Sequence, residues 1–176
     1  QEASHLLQAA PELVVQRMVA GRHDLVPASY LERLGQIRGV QQIEGRLWGY
    51  FFDPVTSANY TFMVAGDEKP AAGRIVIGEG IARSRGAGPG DVLSFRGYHG
   101  QLFSFTISRT LSHESALVSA DLVLVNEQDF RSFFGVAPGQ FTDIALSVRN
   151  PREVRKVAEK VVLALPDSRP IMRDEI

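Results

Sequence analysis

A strand, helix and strand written twice, once near each end of the chain, limits most strongly what this sequence can fold into. The later copy is the clearer one. Asn150, Pro151 and Glu153 supply an N-cap, a preset first turn and a capping acid. Val154, Val157, Ala158, Val161, Val162 and Leu165 then form one apolar stripe at period 3.6, with Arg152, Arg155, Lys156, Glu159 and Lys160 opposite, until Pro166 ends the helix. Ile144, Leu146 and Val148 alternate with polar or small residues before it, which predicts a half-buried strand, and Ser168 to Arg173 predicts another after it. In the earlier copy Leu13 to Val19 reads as a strand, Pro27 to Ile37 as a helix and Val40 to Trp48 as a second strand. That helix turns Tyr30, Leu31, Leu34 and Ile37 inward, with a capping box from Ser29 to Glu32 and Gly39 as its left-handed stop.

Two such copies are the parts of a split βαβ, ferredoxin-like sandwich, an α+β fold with two helices on one face of an antiparallel sheet. Between them the pattern changes. Tyr60, Phe62 and Val64 alternate after a turn at Asp53-Pro54, and Gly66 to Pro70 reads as a boundary. Beyond it come strands at Ile75 to Ile77, Val92 to Phe95, Leu102 to Ile107 and Leu122 to Val125, with a short helix at Gly80 to Arg85. Asn126 caps a further helix that buries Phe130, Phe133 and Phe134 before Gly135 closes it. The expected organisation is a porter-like βαβ subdomain from 1-66 and 140-176, interrupted by a β-rich inserted subdomain at 67-139. In such a sheet the last strand lies antiparallel beside the first. The chain is therefore expected to come in and leave at neighbouring points on one end, with the insertion at the other.

Composition narrows the function classes. With 44% hydrophobic and 22% charged residues the chain is globular, and a net charge of -1 gives no overall field for a nucleic-acid backbone or an anionic membrane surface. The lack of cysteine removes thiolate metal sites, disulfides and thiol nucleophiles. The longest apolar runs, Leu122 to Val125 and Val161 to Leu165, fall far short of the roughly 20 residues a membrane helix needs. A start at Gln1, with no basic segment leading into an apolar one, is read as an excised piece of a longer protein without a signal peptide.

Motifs for chemistry are weak. His113 with Glu114 is the one histidine with a suggestive neighbour, and no paired-histidine helix can be drawn. His99 sits at a glycine-flanked hairpin tip and reads as a solvent-exposed loop residue. Gly78-Glu79-Gly80 starts like a dinucleotide fingerprint but has Arg83 where the third glycine belongs, and Gly86, Gly88 and Gly90 lack the ending of a phosphate loop. No serine stands in a nucleophile elbow. The expectation is a non-enzyme with no catalytic residue, metal or cofactor. The notable surface candidate is Trp48-Gly49-Tyr50-Phe51-Phe52, where alternation puts Trp48, Tyr50 and Phe52 on one face and Phe51 on the other. The first expectation is that this triad fills a core between sheet and insertion; the alternative is a face that docks a partner or an apolar ligand.

Several strings carry a family likeness in order and spacing: Pro11-Glu12-Leu13-Val14-Val15, Ile37-Arg38-Gly39-Val40, Gly78-Glu79-Gly80-Ile81-Ala82, Pro89-Gly90-Asp91-Val92-Leu93, Ala120-Asp121-Leu122-Val123-Leu124-Val125 and Val148-Arg149-Asn150-Pro151. With the closing amphipathic helix ending Leu165-Pro166, the chain resembles the extracytoplasmic domain of FtsX/MacB-type ABC-transporter permeases along nearly its whole length. The resemblance implies a domain between the first two membrane helices, on the periplasmic face of a bacterial inner membrane. It also implies a non-catalytic role, in which a cytoplasmic ABC ATPase subunit drives the protein's own transmembrane helices and this domain relays the motion to an exported substrate or periplasmic adaptor. The full assembly is expected to be a dimeric permease. Two other readings stand beside it: a free-standing extracytoplasmic binding or adaptor module, and an enzyme with a site near His99, His113 and Glu114.

Overall fold

A computed structural model describes residues 11–67, 69–111 and 120–175. In chain order the elements are β1 (Leu13–Val19), β2 (Arg22–Asp24), β3 (Val26–Pro27), α1 (Ser29–Gly35), β4 (Val40–Arg46), β5 (Trp48–Asp53), β6 (Ala58–Met63), β7 (Arg74–Ile77) and α2 (Glu79–Arg85). There follow β8 (Val92–Arg96), β9 (Leu102–Thr110), β10 (Leu122–Leu124), α3 (Glu127–Phe134), β11 (Gln140–Phe141), β12 (Asp143–Val148), α4 (Val154–Ala164) and β13 (Ser168–Met172). The chain divides into two compact units, one holding residues 10–46 and 138–176, the other residues 47–137.

In the first unit the sheet runs β13-β1-β12-β4, every pairing antiparallel, with β2 folded back on β1. Numbered along the chain, its four long strands lie in the order 4-1-3-2, the ferredoxin-like arrangement expected from the repeated pattern. Leu13 and Val15 of β1 and Ile144, Leu146 and Val148 of β12 are buried in one cluster with Leu34 of α1 and Val157, Val161 and Leu165 at α4. The two helices therefore cover the same side of the sheet. Asn150 caps as expected, its Oδ1 accepting the Arg152 N–H at 3.1 Å, with Pro151 in the first turn.

The earlier helix departs from expectation at both ends. Pro27 is drawn into β3, paired with Gln140, so α1 starts only at Ser29. Ala28 holds the cap position in helical conformation without a side-chain cap, so the Ser29–Glu32 capping box does not form. The helix stops at Gly35, and Gly39, with a φ of 103°, bends the chain into β4 beyond the helix end.

The second unit is a six-stranded mixed sheet in the order β5-β6-β10-β7-β9-β8. One face is packed with rings: Phe62 stacks on Phe133 of α3 at 4.9 Å, and Phe51, Tyr60, Phe95 and Phe105 surround them. Asn126 and Gly135 bracket α3 as expected: Asn126 Oδ1 accepts the Asp129 N–H at 2.8 Å, and Gly135 takes a left-handed φ of 69°.

The boundary between the units differs from the sequence expectation. It falls at Arg46/Leu47, about one hairpin earlier than the expected 66/67, and the return falls at 137/138. The expected single strand Val40 to Trp48 is two strands belonging to different sheets, and β6 finds its second neighbour in β10 through Thr61 and Leu122. Strand pairing over some 60 residues of sequence decided that assignment, and local alternation carries no trace of it.

Candidate functional site

His99 stands exposed in the turn after Tyr98, its ring edge-on to that tyrosine at 4.9 Å. His113 and Glu114 lie outside the described residues. Among the described residues no group of three His, Asp or Glu comes together in a way that could hold a metal ion. The Gly78-Glu79-Gly80 string has a packing explanation, since a Cβ on Gly80 would stand 2.8 Å from the backbone oxygen of Ala120. The glycine lets the start of α2 approach the turn that leads into β10, where the Ile81 N–H donates to the same oxygen at 3.1 Å.

Asp53, nearly fully buried at the end of β5, is a densely bonded carboxylate. Its Oδ1 accepts the Val55 N–H at 3.0 Å, and Oδ2 accepts from Thr56 Oγ1 at 3.0 Å, Arg85 Nη1 at 2.8 Å and the Tyr60 hydroxyl. Burial alone would raise its pKa. The donors, led by Tyr60 and Arg85, outweigh burial and hold the carboxyl below its ordinary range, while burial and Asp53 push the Tyr60 phenol up. Arg85 also lies 5.5 Å from the centre of the Phe95 ring. The carboxylate's bonds fix the β5–β6 turn and tie α2 to it through Arg85, and a phenol with a raised pKa is a poor base or nucleophile. The cluster is structural.

The aromatic triad does not lie in the core. Tyr50 is 69% and Phe52 56% exposed, and Trp48 is half-buried with its ring edge-on to Tyr50 at 5.5 Å. The expectation of a buried face is thereby corrected for Tyr50 and Phe52. The two faces alternate as expected, but Phe51 is the residue that faces the rings, and β5 is an edge strand with Tyr50 and Phe52 exposed on its other face. Across from the triad stand Met63, Thr61 and Asn59 of β6.

The ends of the first unit's sheet form the other candidate region. Leu13 is the Cα partner of Met172, so the first and last strands open toward their flanks at one sheet end. There Glu12 takes the Val148 N–H at 2.7 Å on Oε1 and Arg173 Nη2 at 3.1 Å on Oε2, and the Arg173 N–H donates to the Glu12 carbonyl at 3.0 Å. At the opposite ends of β4 and β12, Arg46 and Asp143 are Cα partners and form a bidentate pair, Nε to Oδ1 at 2.7 Å and Nη2 to Oδ2 at 2.8 Å. These are the strand ends nearest the points where the chain leaves the unit, after Arg46, and returns, at Pro138. Neither pairing has a sequence signal, because their members lie 161 and 97 residues apart.

No protein-family model and no curated protein matches the chain. Solved structures do. The periplasmic region of MacB from Actinobacillus actinomycetemcomitans superposes with a TM-score of 0.57 at 10% identity, over 99% of this chain and 95% of that one. The chain has the fold of an extracytoplasmic ABC-transporter domain. The extracellular domain of the ABC-type transporter YknZ from Gram-positive bacteria superposes with a TM-score of 0.55 at 8% identity, over 90% of this chain and 98% of that one. The MacB-like fold thus covers both units, and identity this low carries the backbone arrangement alone. Among the described residues no helix is long and apolar enough to cross a membrane.

Proposed function

We propose that this chain is the non-catalytic extracytoplasmic domain of an ABC-transporter permease, relaying movements of membrane helices to a substrate or partner outside the inner membrane. The observation that carries the reading is the pairing of Leu13 with Met172 in a MacB-like fold. Two flanking segments leave one end of one sheet side by side, which suits a body held by two neighbouring membrane helices and moved by both together. ATP hydrolysis belongs in this reading to a cytoplasmic ATPase, and a dimeric permease supplies a second copy. The relay is mechanical, of the hinge or shear type.

Trp48, Tyr50 and Phe52 are the proposed docking face for the extracytoplasmic partner. Exposed aromatic rings on an edge strand combine apolar area with open backbone, the usual makings of a protein contact. The same feature supports the second reading, a free-standing binding module. Fractionation of cells that make the protein at its native length separates the two. Recovery in the inner membrane, with this domain cut by protease added to spheroplasts, supports the permease; recovery in the soluble fraction removes it and leaves the binding module.

A further inference from the structure

Resting on the permease reading, we infer that the sheet end at which β1 and β13 open carries a cationic strip that contacts anionic phospholipid headgroups of the bilayer. The strip is made of Arg38, Arg149, Arg152, Lys156 and Lys160, all exposed. Three observations bring them together. The Arg149 N–H donates to the Gly39 carbonyl at 2.9 Å, which sets Arg149 beside Arg38. Lys160 Nζ donates to the Arg38 carbonyl at 3.4 Å, which turns that flank of α4 toward the same loop. Arg152, Lys156 and Lys160 follow at four-residue spacing on that flank.

The strip adjoins the place where the chain opens to its flanks. Val40 and Val148 are paired at the ends of β4 and β12, and the Val148 N–H is held by Glu12. Arg155, on the neighbouring flank of α4, lines a groove with Glu12, Val154, Met172, Arg173 and Asp174. Any membrane helices joined to β1 and β13 would bring this end nearest the headgroups.

These charges are not explained by the fold. Among the described residues the side chains of Arg38, Arg149, Arg152, Arg155 and Lys156 take part in no ion pair. Arg152, Arg155 and Lys156 also lie in the opening turns of the α4 segment, next to the positive end of its dipole, where cations weaken a helix. From residue 150 to 160 the sequence places four cations against two acids, Glu153 and Glu159. The acids of the same sheet end, Glu12, Asp174 and Glu175, lie by the β1 and β13 ends, so the excess of positive charge is confined to the flank of α4 and the Arg38 loop.

Each cation held near an anionic surface strengthens binding roughly fivefold. The test is co-sedimentation of the 176-residue chain with vesicles of phosphatidylcholine alone or with about 30% phosphatidylglycerol. Binding to the anionic vesicles, lost at high salt, is expected, with a drop of about 100-fold in the Arg149→Gln/Arg152→Gln/Lys156→Gln variant. A control variant losing the same charge elsewhere, Arg22→Gln/Arg74→Gln/Arg169→Gln, should bind nearly as the parent does. Should the triple variant melt early, the single Arg152→Gln change, at an exposed position, reads the same slope at about fivefold. Equal loss in both triple variants, or equal binding to neutral vesicles, overturns the assignment. Failure here with the protein in the membrane fraction removes only the lipid contact, whereas a soluble native-length protein removes the permease reading beneath it.

Discussion

Glu12 and Arg173 join the first and last strands one residue outside the Leu13–Met172 pair, through one side-chain ion pair and one backbone hydrogen bond. The two side chains have different weights. Glu12 also holds the Val148 N–H, whereas the Arg173 side chain is 55% exposed. Glu12→Ala should lower stability by about 1–2 kcal/mol, and Arg173→Ala by about 0.5 kcal/mol. Urea midpoints check this, and equal losses would show that the ion pair, not the amide contact, carries the effect.

Removing the Asp53 carboxylate leaves Arg85 and Tyr60 without their shared acceptor in a buried site. Asp53→Ala should cost about 3–5 kcal/mol, seen as a fall in melting temperature. A loss below about 1 kcal/mol would mean water replaces the carboxylate.

The same group sets an acid limit. Asp53 and Asp167 have folded pKa values below the ordinary carboxylate value, Asp167 through Tyr30 and then Arg17, against some burial. Lowered folded values give stability that is complete above the unfolded carboxylate pKa, about 3.9, and is lost as pH falls through the folded values. Tyr30, raised by Asp167, and Tyr60, raised by burial and Asp53, give the opposite limb, lost as pH rises past about 10. Stability measured from pH 2 to 7 should flatten in Asp53→Asn relative to the parent; an unchanged slope would remove Asp53 from the acid limb.

Ala20 and Gly21 turn β1 into β2 with φ values of 52° and 78°, a two-residue turn that asks an alanine for a left-handed backbone. Ala20→Asn should raise stability by about 0.5–1 kcal/mol, read from thermal unfolding. A decrease would show that the hairpin closes differently.

Exposure separates the two faces of β5 energetically. Tyr50→Ser and Phe52→Ser should each change stability by less than about 0.5 kcal/mol, while Phe62→Ala in the ring cluster should cost about 3–5 kcal/mol. If the proposed permease reading holds, the double surface variant in the native-length protein should keep ATP turnover and lose transport. Wild-type transport by that variant would remove the proposed docking face.

Where local chemistry specifies structure, the sequence was readable. Asn150-Pro151 and Asn126 with Gly135 mark helix ends through their own backbone preferences, and the two strand-helix-strand patterns lead to the ferredoxin-like sheet. Pro27 shows the limit: its fixed φ suits a helix start, yet pairing with Gln140 takes it into a strand. The 46/47 boundary depends on which strand β6 joins, and the fate of Trp48, Tyr50 and Phe52 depends on whether anything covers an edge strand. Alternation sorts residues into two faces without saying which one is covered. The strip around Arg149 was visible only as the polar side of a helix, because its meeting with Arg38 is a long-range contact.

The side-by-side strands β1 and β13 also fix how the sheet bears load. Pulling their outer ends apart would strain the ladder one rung at a time, starting beyond Leu13 and Met172, so splaying meets little resistance. Pushing or tilting both ends in step strains no rung, and the sheet responds as a single lever. A permease whose helices move together would find in this domain a stiff arm, and one whose helices separate would find a zipper.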